Sequence, residues 1–316
     1  MKRVLVTGGA GFIGSHVVDA LCARGDAVAV LDDLSSGAQQ NVAPDVPLYH
    51  VDVRRRADVA ATFQRFAPTH VCHLAAQASV KRSVDAPDED ASVNVIGGLN
   101  VLDAARQSGV RRVVFASTGG AIYGEVPRGA RAREGWPLAP KSPYAAAKAA
   151  LEHYLNVYQR CFDLPATVLR FGNVFGPRQD PAGEAGVIAI FLARLAAGLP
   201  IQIFGRRRAG DAGCIRDYVF VADVVSAMLL AVDGEIEGTF NVGSGRGLST
   251  RAVAEALARA LGVAPAIALA PPRAGDLERS VLDPSALEAR GWRPRFSFES
   301  GVAHTVRSAS RVGRAA

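Results

Sequence analysis

The segment RVLVTGGAGFIG (residues 3–14) joins a short apolar run to glycines spaced Gly8-x-x-Gly11-x-x-Gly14, and a helical pattern follows them. Glycines let the backbone turn sharply and approach a pyrophosphate closely. A helix beginning there offers free N–H groups and the positive end of its dipole. The spacing predicts a strand, a phosphate-binding turn and a helix, although a glycine turn without a ligand can have the same spacing.

Further apolar runs alternate with amphipathic stretches along the first half of the chain. Buried strands are predicted at 3–6, 27–31, 70–74, 111–117 and 166–171, and helices at 12–24, 56–66, 89–108 and 143–161. This alternation favours a parallel sheet covered by helices on both faces. The predicted fold class is α/β, a Rossmann-type doubly wound parallel sheet with a smaller mixed α/β C-terminal substrate domain.

The residue composition changes after residue 172, where a Gly- and Pro-rich connection begins. We predict a ligand-binding Rossmann domain over 1–172, to which the segment 215–243 returns, and a second ligand-binding domain over 173–316. The identity of both ligands rests on the residues and the resemblance described below.

Composition limits the class of protein. The 316 residues contain 36 Lys and Arg against 30 Asp and Glu, a mild excess that does not indicate a nucleic-acid partner. The four cysteines form no CxxC pair, so no metal site is predicted, and we expect them to be buried thiols in a reducing compartment. Without a signal peptide or a bilayer-length apolar run, the expected location is cytoplasmic, with no membrane partner. The triplet Arg206-Arg207-Arg208 is interpreted as solvated surface or a mobile lid.

Two acidic residues end the second predicted strand. Asp32 lies 18 residues after Gly14 and is followed by Asp33. An acid at this place can bind the hydroxyls of an adenosine ribose and disfavours a 2′-phosphate. The predicted cofactor is therefore NAD rather than NADP, with turn capping as the alternative role of Asp32.

The stretch SPYAAAK (residues 142–148) places a phenol and an ammonium four residues apart at the start of a helix. Residues at this spacing share one helix face. A free tyrosine has a pKa near 10, and we expect the charge of Lys148 together with bound NAD⁺ to favour the phenolate of Tyr144 as a general base. Ser117 and Thr118 end the strand before it, and either hydroxyl could lie at the ligand-binding edge of the sheet.

Taken together, several stretches resemble a known family: TGGAGFIGSH, LDDLSSG, HLAAQASV, FASTGGAIYG, SPYAAAK, LRFGNVFGPRQ and RDYVFVADV. The chain is similar to the extended short-chain dehydrogenase/reductase superfamily over nearly its whole length. Within that superfamily it resembles the NAD-dependent nucleotide-sugar epimerases, and LDDLSSG is typical of the branch of UDP-glucose 4-epimerases.

The resemblance implies roles for individual positions. It implies catalysis by Tyr144, Lys148 and Thr118, with Ser117 as the alternative hydroxyl. The implied cofactor-binding residues are Gly8, Gly11, Phe12, Ile13, Gly14, Asp32, Asp33, Ser36, Asp52, Val53, Leu74, Ala75, Ala76, Asn94, Tyr144 and Lys148. Asn94 could equally be a buried amide that holds a turn. The implied substrate-binding residues are Thr118, Tyr144, Asn173, Arg216, Arg273, Asp276 and Ser280.

The implied reaction inverts the C4 hydroxyl of a UDP-hexose through a transient 4-keto intermediate, with NAD regenerated in each cycle, as in galactose metabolism. The resemblance also implies a homodimer joined through the helices at 89–108 and 143–161. UDP-glucuronate 4-epimerase is an alternative. A dehydratase or decarboxylase is disfavoured because Gly119-Gly120 stand where such relatives carry acids. A non-catalytic NAD-sensing protein is the alternative from another class. A small residue at Ser280 would leave room for an N-acetyl group on the sugar.

Overall fold

The computed structural model describes residues 1–181, 186–273 and 276–312. Its contacts divide the chain into two compact units. The first comprises Met1–Thr118, Pro140–Arg170 and Val225–Phe240, and the second comprises Gly119–Ala139, Phe171–Val224 and the chain from Asn241 onward.

The strands follow the alternation that the sequence predicts and continue into the second half. They are β1 Arg3–Thr7, β2 Ala27–Asp32, β3 Leu48–His50, β4 His70–His73, β5 Arg112–Thr118, β6 Ala166–Phe171, β7 Asn173–Phe175, β8 Ile201–Phe204, β9 Ile215–Phe220, β10 Gly238–Val242, β11 Gly247–Ser249, β12 Ile267–Ala270 and β13 Arg279–Ser280.

The helices are α1 Phe12–Ala23, α2 Arg56–Phe66, α3 Val80–Asp85, α4 Pro87–Ala91, α5 Gly98–Gln107, α6 Gly119–Ile122, α7 Pro143–Phe162, α8 Val187–Ala196, α9 Val221–Asp233, α10 Thr250–Leu261, α11 Ser285–Glu288 and α12 Phe298–Val312. A short 3₁₀ turn spans Gln39–Asn41. The predicted helix at 89–108 is instead α4 and α5 joined by a π-helical segment, Ser92–Gly97. Such π segments often occur at functional sites, and apolar periodicity does not reveal them.

Seven strands form one sheet in the order β10-β6-β5-β4-β1-β2-β3. The pairs β1–β2, β1–β4, β4–β5 and β2–β3 are parallel. The chain order reverses between β1 and β4, and in such sheets ligands bind outside the carboxyl ends of the strands at this switch point. The predicted doubly wound parallel sheet is confirmed, and it places Thr7 and the glycine turn at that point.

The core of the first unit consists of apolar side chains that the sheet and its helices bury together. Leu5 on β1, Phe115 on β5 and Leu155 on α7 are at most 2% exposed and belong to one cluster. Each such side chain contributes about 1.5–3 kcal/mol through removal of its surface from water. This packing fixes β5 and α7, which carry the predicted catalytic residues.

In the second unit, β9 pairs antiparallel with β11 and parallel with β13 and β7, and β8 pairs with β12. Trp292 is 2% exposed and donates its indole N–H to the carbonyl oxygen of Asp223 at 3.1 Å. Among the described residues, no helix combines the length and apolar character that crossing a membrane requires.

All four cysteines are free thiols, but their exposure differs from the expectation. Cys72 and Cys214 are buried, whereas Cys22 is half-buried and Cys161 is exposed. Cys161 lies near the end of α7 on the outer side of the helix. The prediction of four buried thiols is therefore wrong for Cys161 and only partly met for Cys22.

Candidate active site

Helix α7 begins at a side-chain cap and places two predicted catalytic residues on one face. Ser142 Oγ accepts a hydrogen bond from a backbone N–H of the first turn, and Pro143 occupies the first helical position. Tyr144 and Lys148 follow, one turn apart, with the lysine Nζ 6.0 Å from the centroid of the tyrosine ring. Lys148 is 3% exposed and donates to the carbonyl oxygen of Ala116 at 3.0 Å.

Strand β5 ends in two hydroxyl groups that lie on opposite faces, because successive strand residues alternate. The side chain of Thr118 lies near enough to the phenol of Tyr144 to lower its pKa. Ser117 instead donates its hydroxyl to Glu152, which also forms a buried ion pair with Arg170. The structure thus brings Thr118 to the phenol and places the Ser117 hydroxyl in a separate buried network.

Burial dominates the electrostatics of this pair. Desolvation, reinforced by the negative charge of Asp90, raises the pKa of Tyr144 to about 12, although the nearby Thr118 side chain acts in the opposite direction. Desolvation lowers the pKa of Lys148 to about 8, against the opposing effects of Asp90 and Glu152. The expected preference for the phenolate is therefore not produced by Lys148 within the protein itself.

A network that the sequence did not reveal fixes the loop after β4 beside this pair. Asn94, in the π segment, accepts a hydrogen bond from the backbone N–H of Gln77 at 3.0 Å and donates to its carbonyl oxygen at 2.9 Å. Its amide also donates to Asp90 Oδ1 at 2.9 Å. Asn94 thus acts as the buried amide that holds a turn. No signal in the run PDEDA (residues 87–91) distinguishes Asp90 from the exposed acids of a surface helix.

The glycine turn has the shape that a diphosphate requires. Gly8 has a φ of +70°, which L side chains rarely adopt, and a Cβ there would lie 2.6 Å from the backbone nitrogen of Ala75. A Cβ at Gly14 would lie 2.1 Å from the carbonyl oxygen of Gly8. Gly11 caps α1 without a side-chain hydrogen bond, so the first N–H groups of the helix have no competing side-chain acceptor.

Asp32 ends β2 as a buried carboxylate, 5% exposed. Its Oδ2 accepts from the backbone N–H of Ala10 and its Oδ1 from that of Leu34, each at 2.9 Å. Each oxygen has a second lone pair, so ribose hydroxyls can still donate to it. Burial raises the pKa of this carboxyl group. Asp32 therefore ties the glycine turn to the end of β2, in addition to its expected role.

The remaining predicted cofactor residues lie in the same unit, with differing exposure. Asp33 is exposed and accepts from the N–H and the hydroxyl of Ser35. Asp52 forms an ion pair with Arg54 at 2.6 Å. Val53 is buried, Ser36 is exposed, and the half-buried members are Phe12, Ile13, Leu74, Ala75 and Ala76.

These residues fit a bound NAD molecule by their own geometry. A cradle that any Cβ would obstruct, a helix terminus without a side-chain cap and an acid at the end of β2 are the features that a diphosphate and a ribose require. Gly8, Gly11 and Gly14 would contact the diphosphate, and Asp32 the ribose.

Two of the predicted substrate residues, Thr118 and Tyr144, belong to the first unit, and the other five belong to the second. Two of those five are on paired strands. Arg216 on β9 is in register with Ser280 on β13. The Arg273 guanidinium lies 4.4 Å from the centroid of the Phe204 ring and forms an ion pair with Asp276 at 3.0 Å.

The thiol of Cys214 connects three of these groups. Arg216, Arg273 and Asp276 each act on the pKa of this thiol, so all three lie within electrostatic reach of it. The second unit therefore brings these two arginines and the acid together. Asn173 is half-buried on β7, and Ser280 is buried at 2% exposure.

The arginine triplet lies in a loop with a fixed backbone. The carboxylate of Asp211 accepts hydrogen bonds from the backbone N–H groups of Arg206, Arg207, Arg208 and Gly213. These bonds hold the pKa of Asp211 well below its usual range. The Arg207 side chain pairs with Glu278 at 2.7 Å. The loop is thus held by its own acid, which the interpretation as a mobile lid did not anticipate.

Comparisons with known proteins agree with this geometry. The model of the NAD-dependent epimerase/dehydratase family matches residues 4–243. A UDP-glucose 4-epimerase of Mycolicibacterium smegmatis is 47% identical over 312 residues, which cover 96% of this chain and 97% of that protein. The crystal structure of the Thermus thermophilus UDP-glucose 4-epimerase in complex with NAD has a TM-score of 0.95 at 58% identity, covering 97% of this chain and 98% of that one. That of the Thermotoga maritima enzyme with UDP-glucose has a TM-score of 0.92 at 42% identity, covering 98% and 99%.

Proposed function

This chain belongs to the NAD-dependent epimerase/dehydratase family, and on that premise we propose that it inverts the C4 hydroxyl of a UDP-hexose, interconverting UDP-glucose and UDP-galactose. The proposal is supported by the relatives of high identity over nearly the whole chain, which are UDP-glucose 4-epimerases. We further propose that the first unit binds NAD and the second unit binds the nucleotide sugar.

The observation that carries the proposal is the position of the Thr118 hydroxyl, near enough to the phenol of Tyr144 to lower its pKa, together with the ammonium of Lys148 one helical turn away. A sugar hydroxyl placed at this pair can donate its proton to Tyr144 while Thr118 donates a hydrogen bond to the same oxygen. When bound, NAD⁺ supplies the acceptor, and later the donor, of the hydride at C4. The protein orients the ring and moves the proton, and a 4-keto sugar is the intermediate.

The pKa of Tyr144, about 12 in the protein itself, requires a further positive charge before the phenol can act as a base near neutral pH. The nicotinamide of NAD⁺ carries such a charge, and Lys148 supplies the other. We propose that the two act together and that the base is competent only in the cofactor-bound protein.

Gly119 and Gly120 favour epimerisation over dehydration, because neither can supply the acid and base that water elimination requires. A Cβ at Gly120 would lie 3.2 Å from Asn173 Oδ1, so a larger residue there would press on that amide. We propose that this amide contacts the diphosphate region of the substrate. The dehydratase, decarboxylase, uronate and sensor alternatives are less well supported than the epimerase.

For the nucleotide, we propose that Arg216 and Arg273 bind the diphosphate and that Asp276 binds the uridine ribose. Guanidinium groups match phosphate geometry and form charge-assisted hydrogen bonds. Since Arg273 already pairs with Asp276, the ribose and the diphosphate would be bound by one connected pair. Loss of UDP affinity in an Arg216→Met variant would support this assignment, and unchanged affinity would refute it.

We also propose a homodimer, supported by apolar side chains exposed on α7 and on two helical segments that pack against it. Val84 on α3 is 61% exposed, Ile96 in the π segment 52% and Val157 on α7 48%. Apolar exposure of this kind marks interaction surfaces. A monomer by sedimentation at micromolar concentration would overturn the proposal. The four free thiols support the cytoplasmic location that we propose.

The deciding experiment incubates the purified protein with UDP-glucose and follows C4 inversion by proton NMR without added reductant. We expect UDP-galactose to form with no net consumption of cofactor. Tyr144→Phe should lower turnover by roughly 10²–10⁴-fold while NAD remains bound. Tyr154→Phe, the same change at an exposed position of α7, is the matched control and should remain active.

Absence of any inversion in wild-type protein that binds NAD would overturn the proposed function. UDP-N-acetylglucosamine, included in the same panel, tests the role of Ser280. Comparable turnover of the two sugars would support the hypothesis of a site that accepts N-acetyl groups, and complete rejection of the acetylated sugar would refute it.

A further inference from the structure

The first unit contains a buried carboxylate that the reaction described above does not use. Asp90 is 1% exposed, and its Oδ1 accepts from Gln77 Nε2 at 2.8 Å and from Asn94 Nδ2 at 2.9 Å. Its Oδ2 is also buried and accepts no hydrogen bond from any residue that the structure describes. Buried carboxylate oxygens without a donor are rare, because removal of the charge from water is then only partly compensated.

The position of Asp90 relates it to the catalytic pair. Helix α4, which carries Asp90, and the π segment after it both pack against α7. The charge of Asp90 acts on both members of the pair, since it raises the pKa of Tyr144 and that of Lys148. Within the described chain, Asp90 and Lys148 form no direct ion pair.

We propose, resting on the proposed epimerase function, that Asp90 is a positioning residue, the buried counter-charge that keeps Lys148 protonated beside Tyr144 and sets the pH range of the reaction.

The charges around Lys148 leave this role to Asp90. Glu152, one turn further along α7, also acts on Lys148, but its carboxylate is already engaged by Arg170 and Ser117. His73 on β4 is neutral, because burial lowers its pKa to about 3, so it supplies no charge. Among the described residues, the acids whose charge raises the pKa of Lys148 are Asp90 and Glu152. Of these two, Asp90 is the one without a cationic partner of its own.

The consequence for the lysine follows from its burial. Desolvation already lowers the pKa of Lys148 to about 8, so the ammonium can lose its proton at mildly basic pH. Removal of the Asp90 charge lowers that pKa further, so the ammonium loses its proton at a lower pH and the basic limb of the activity profile moves toward acid. Because Asp90 also raises the pKa of Tyr144, the acidic limb moves in the same direction.

The test compares the pH dependence of kcat for UDP-glucose in the NAD-bound wild type and in Asp90→Asn. The amide keeps the shape of the side chain and an oxygen for Gln77 and Asn94, but removes the charge. We expect both limbs to move to lower pH by about one unit, the size of shift that a nearby charge produces. The midpoints of the two limbs are macroscopic pKa values, which belong to the coupled pair Tyr144 and Lys148 and not to either residue alone.

The matched control is Asp88→Asn, which removes an exposed carboxylate from the same helix. Its profile should coincide with that of the wild type. Asn94→Ala removes three hydrogen bonds of the network, two to the backbone of Gln77 and one to Asp90, and leaves the Asp90 charge, so it should lower kcat without moving the limbs. An Asp90→Asn profile that keeps its limbs and only loses height would overturn the proposal, because that is the effect of a merely structural carboxylate.

A second measurement does not depend on turnover. Tyrosinate absorbance of the NAD-bound protein, with Tyr144→Phe as the blank, reports ionisation of this one phenol. We expect Asp90→Asn to lower its midpoint, and an unmoved midpoint would refute the inference even if the protein proved not to be an epimerase. Should Asp90→Asn fail to fold, Asp90→Ser, which leaves a small polar group, is titrated in the same way and must give the same shift.

Discussion

Two buried aspartates, one in each unit, differ in whether both of their carboxylate oxygens accept hydrogen bonds. Asp217 on β9 is 1% exposed, and both of its oxygens accept hydrogen bonds, from the N–H and hydroxyl of Ser244 and from the N–H groups of Gly245 and Leu282. Asp90 is equally buried, but one of its oxygens has no donor among the described residues.

The difference separates two uses of a buried carboxylate. The four donors to Asp217 join β9 to the turn after β10 and to the segment that follows β13, so this carboxylate is a structural junction of the second unit. The second oxygen of Asp90 contributes nothing to such a junction, yet the charge of Asp90 acts on Lys148 and on the phenol of Tyr144, the proposed catalytic pair. Full satisfaction indicates a structural role, whereas incomplete satisfaction beside reactive groups indicates a functional one.

The largest expected effect concerns a third buried carboxylate, Glu152, which a cation compensates. Arg170→Met removes that cation, and among the described residues the hydroxyl of Ser117 is then the side-chain donor left to the Glu152 carboxylate. Because a buried charge without a counter-charge is costly, we expect the free energy of unfolding to fall by about 3–5 kcal/mol. Urea denaturation measures the change. Combining Arg170→Met with Glu152→Gln should restore much of the loss, and a single-variant loss below about 1 kcal/mol would contradict the structural role of the pair.

The two hydroxyl groups at the end of β5 give the next largest contrast. Thr118→Val should lower kcat by roughly 10²-fold, because the hydrogen bond to the reacting oxygen is lost. Ser117→Ala should leave kcat within about threefold and lower the free energy of unfolding by about 1 kcal/mol, the value of one hydrogen bond. Steady-state kinetics with UDP-glucose and urea denaturation measure the two quantities, and the opposite ranking would assign the catalytic role to Ser117.

An effect smaller than that of Thr118→Val is expected at Asp217. Asp217→Asn turns an N–H₂ group toward backbone donors, so at pH 7 the free energy of unfolding should fall by about 2 kcal/mol. The catalytic pH profile should keep its limbs, in contrast to Asp90→Asn. A shift of those limbs would remove the distinction between the two aspartates.

The pH dependence of stability sharpens the same contrast. Burial raises the pKa of Asp217 to about 6 in the folded protein, above its usual value. Its contribution to stability is therefore fully present below about pH 4 and is lost as the pH rises through about 6. We expect the stability difference between wild type and Asp217→Asn to decrease over this range in urea denaturation at several pH values. A stability difference that grows with pH would show that the pKa of Asp217 is lowered, not raised, in the folded protein.

Local backbone requirements made much of the first unit predictable. Gly8 and Gly14 indicate the turn because a Cβ at either position would collide with the backbone. Ser142 and Pro143 indicate the start of α7. Asp90 could not be identified in this way, since an acidic helix start looks the same whether buried or exposed. The π segment and the exposure of Cys161 were missed for the related reason that both depend on which surfaces pack together.

The sequence alone determined the order of strands and helices, the phosphate cradle and the Tyr144–Lys148 spacing, because each follows from interactions between residues close in the chain. Only the tertiary structure decided which hydroxyl meets the phenol, how strongly burial shifts the pKa of the pair, and that Asp90 acts on it. These properties depend on desolvation and on distances between residues far apart in the chain, and both are set only when the chain folds.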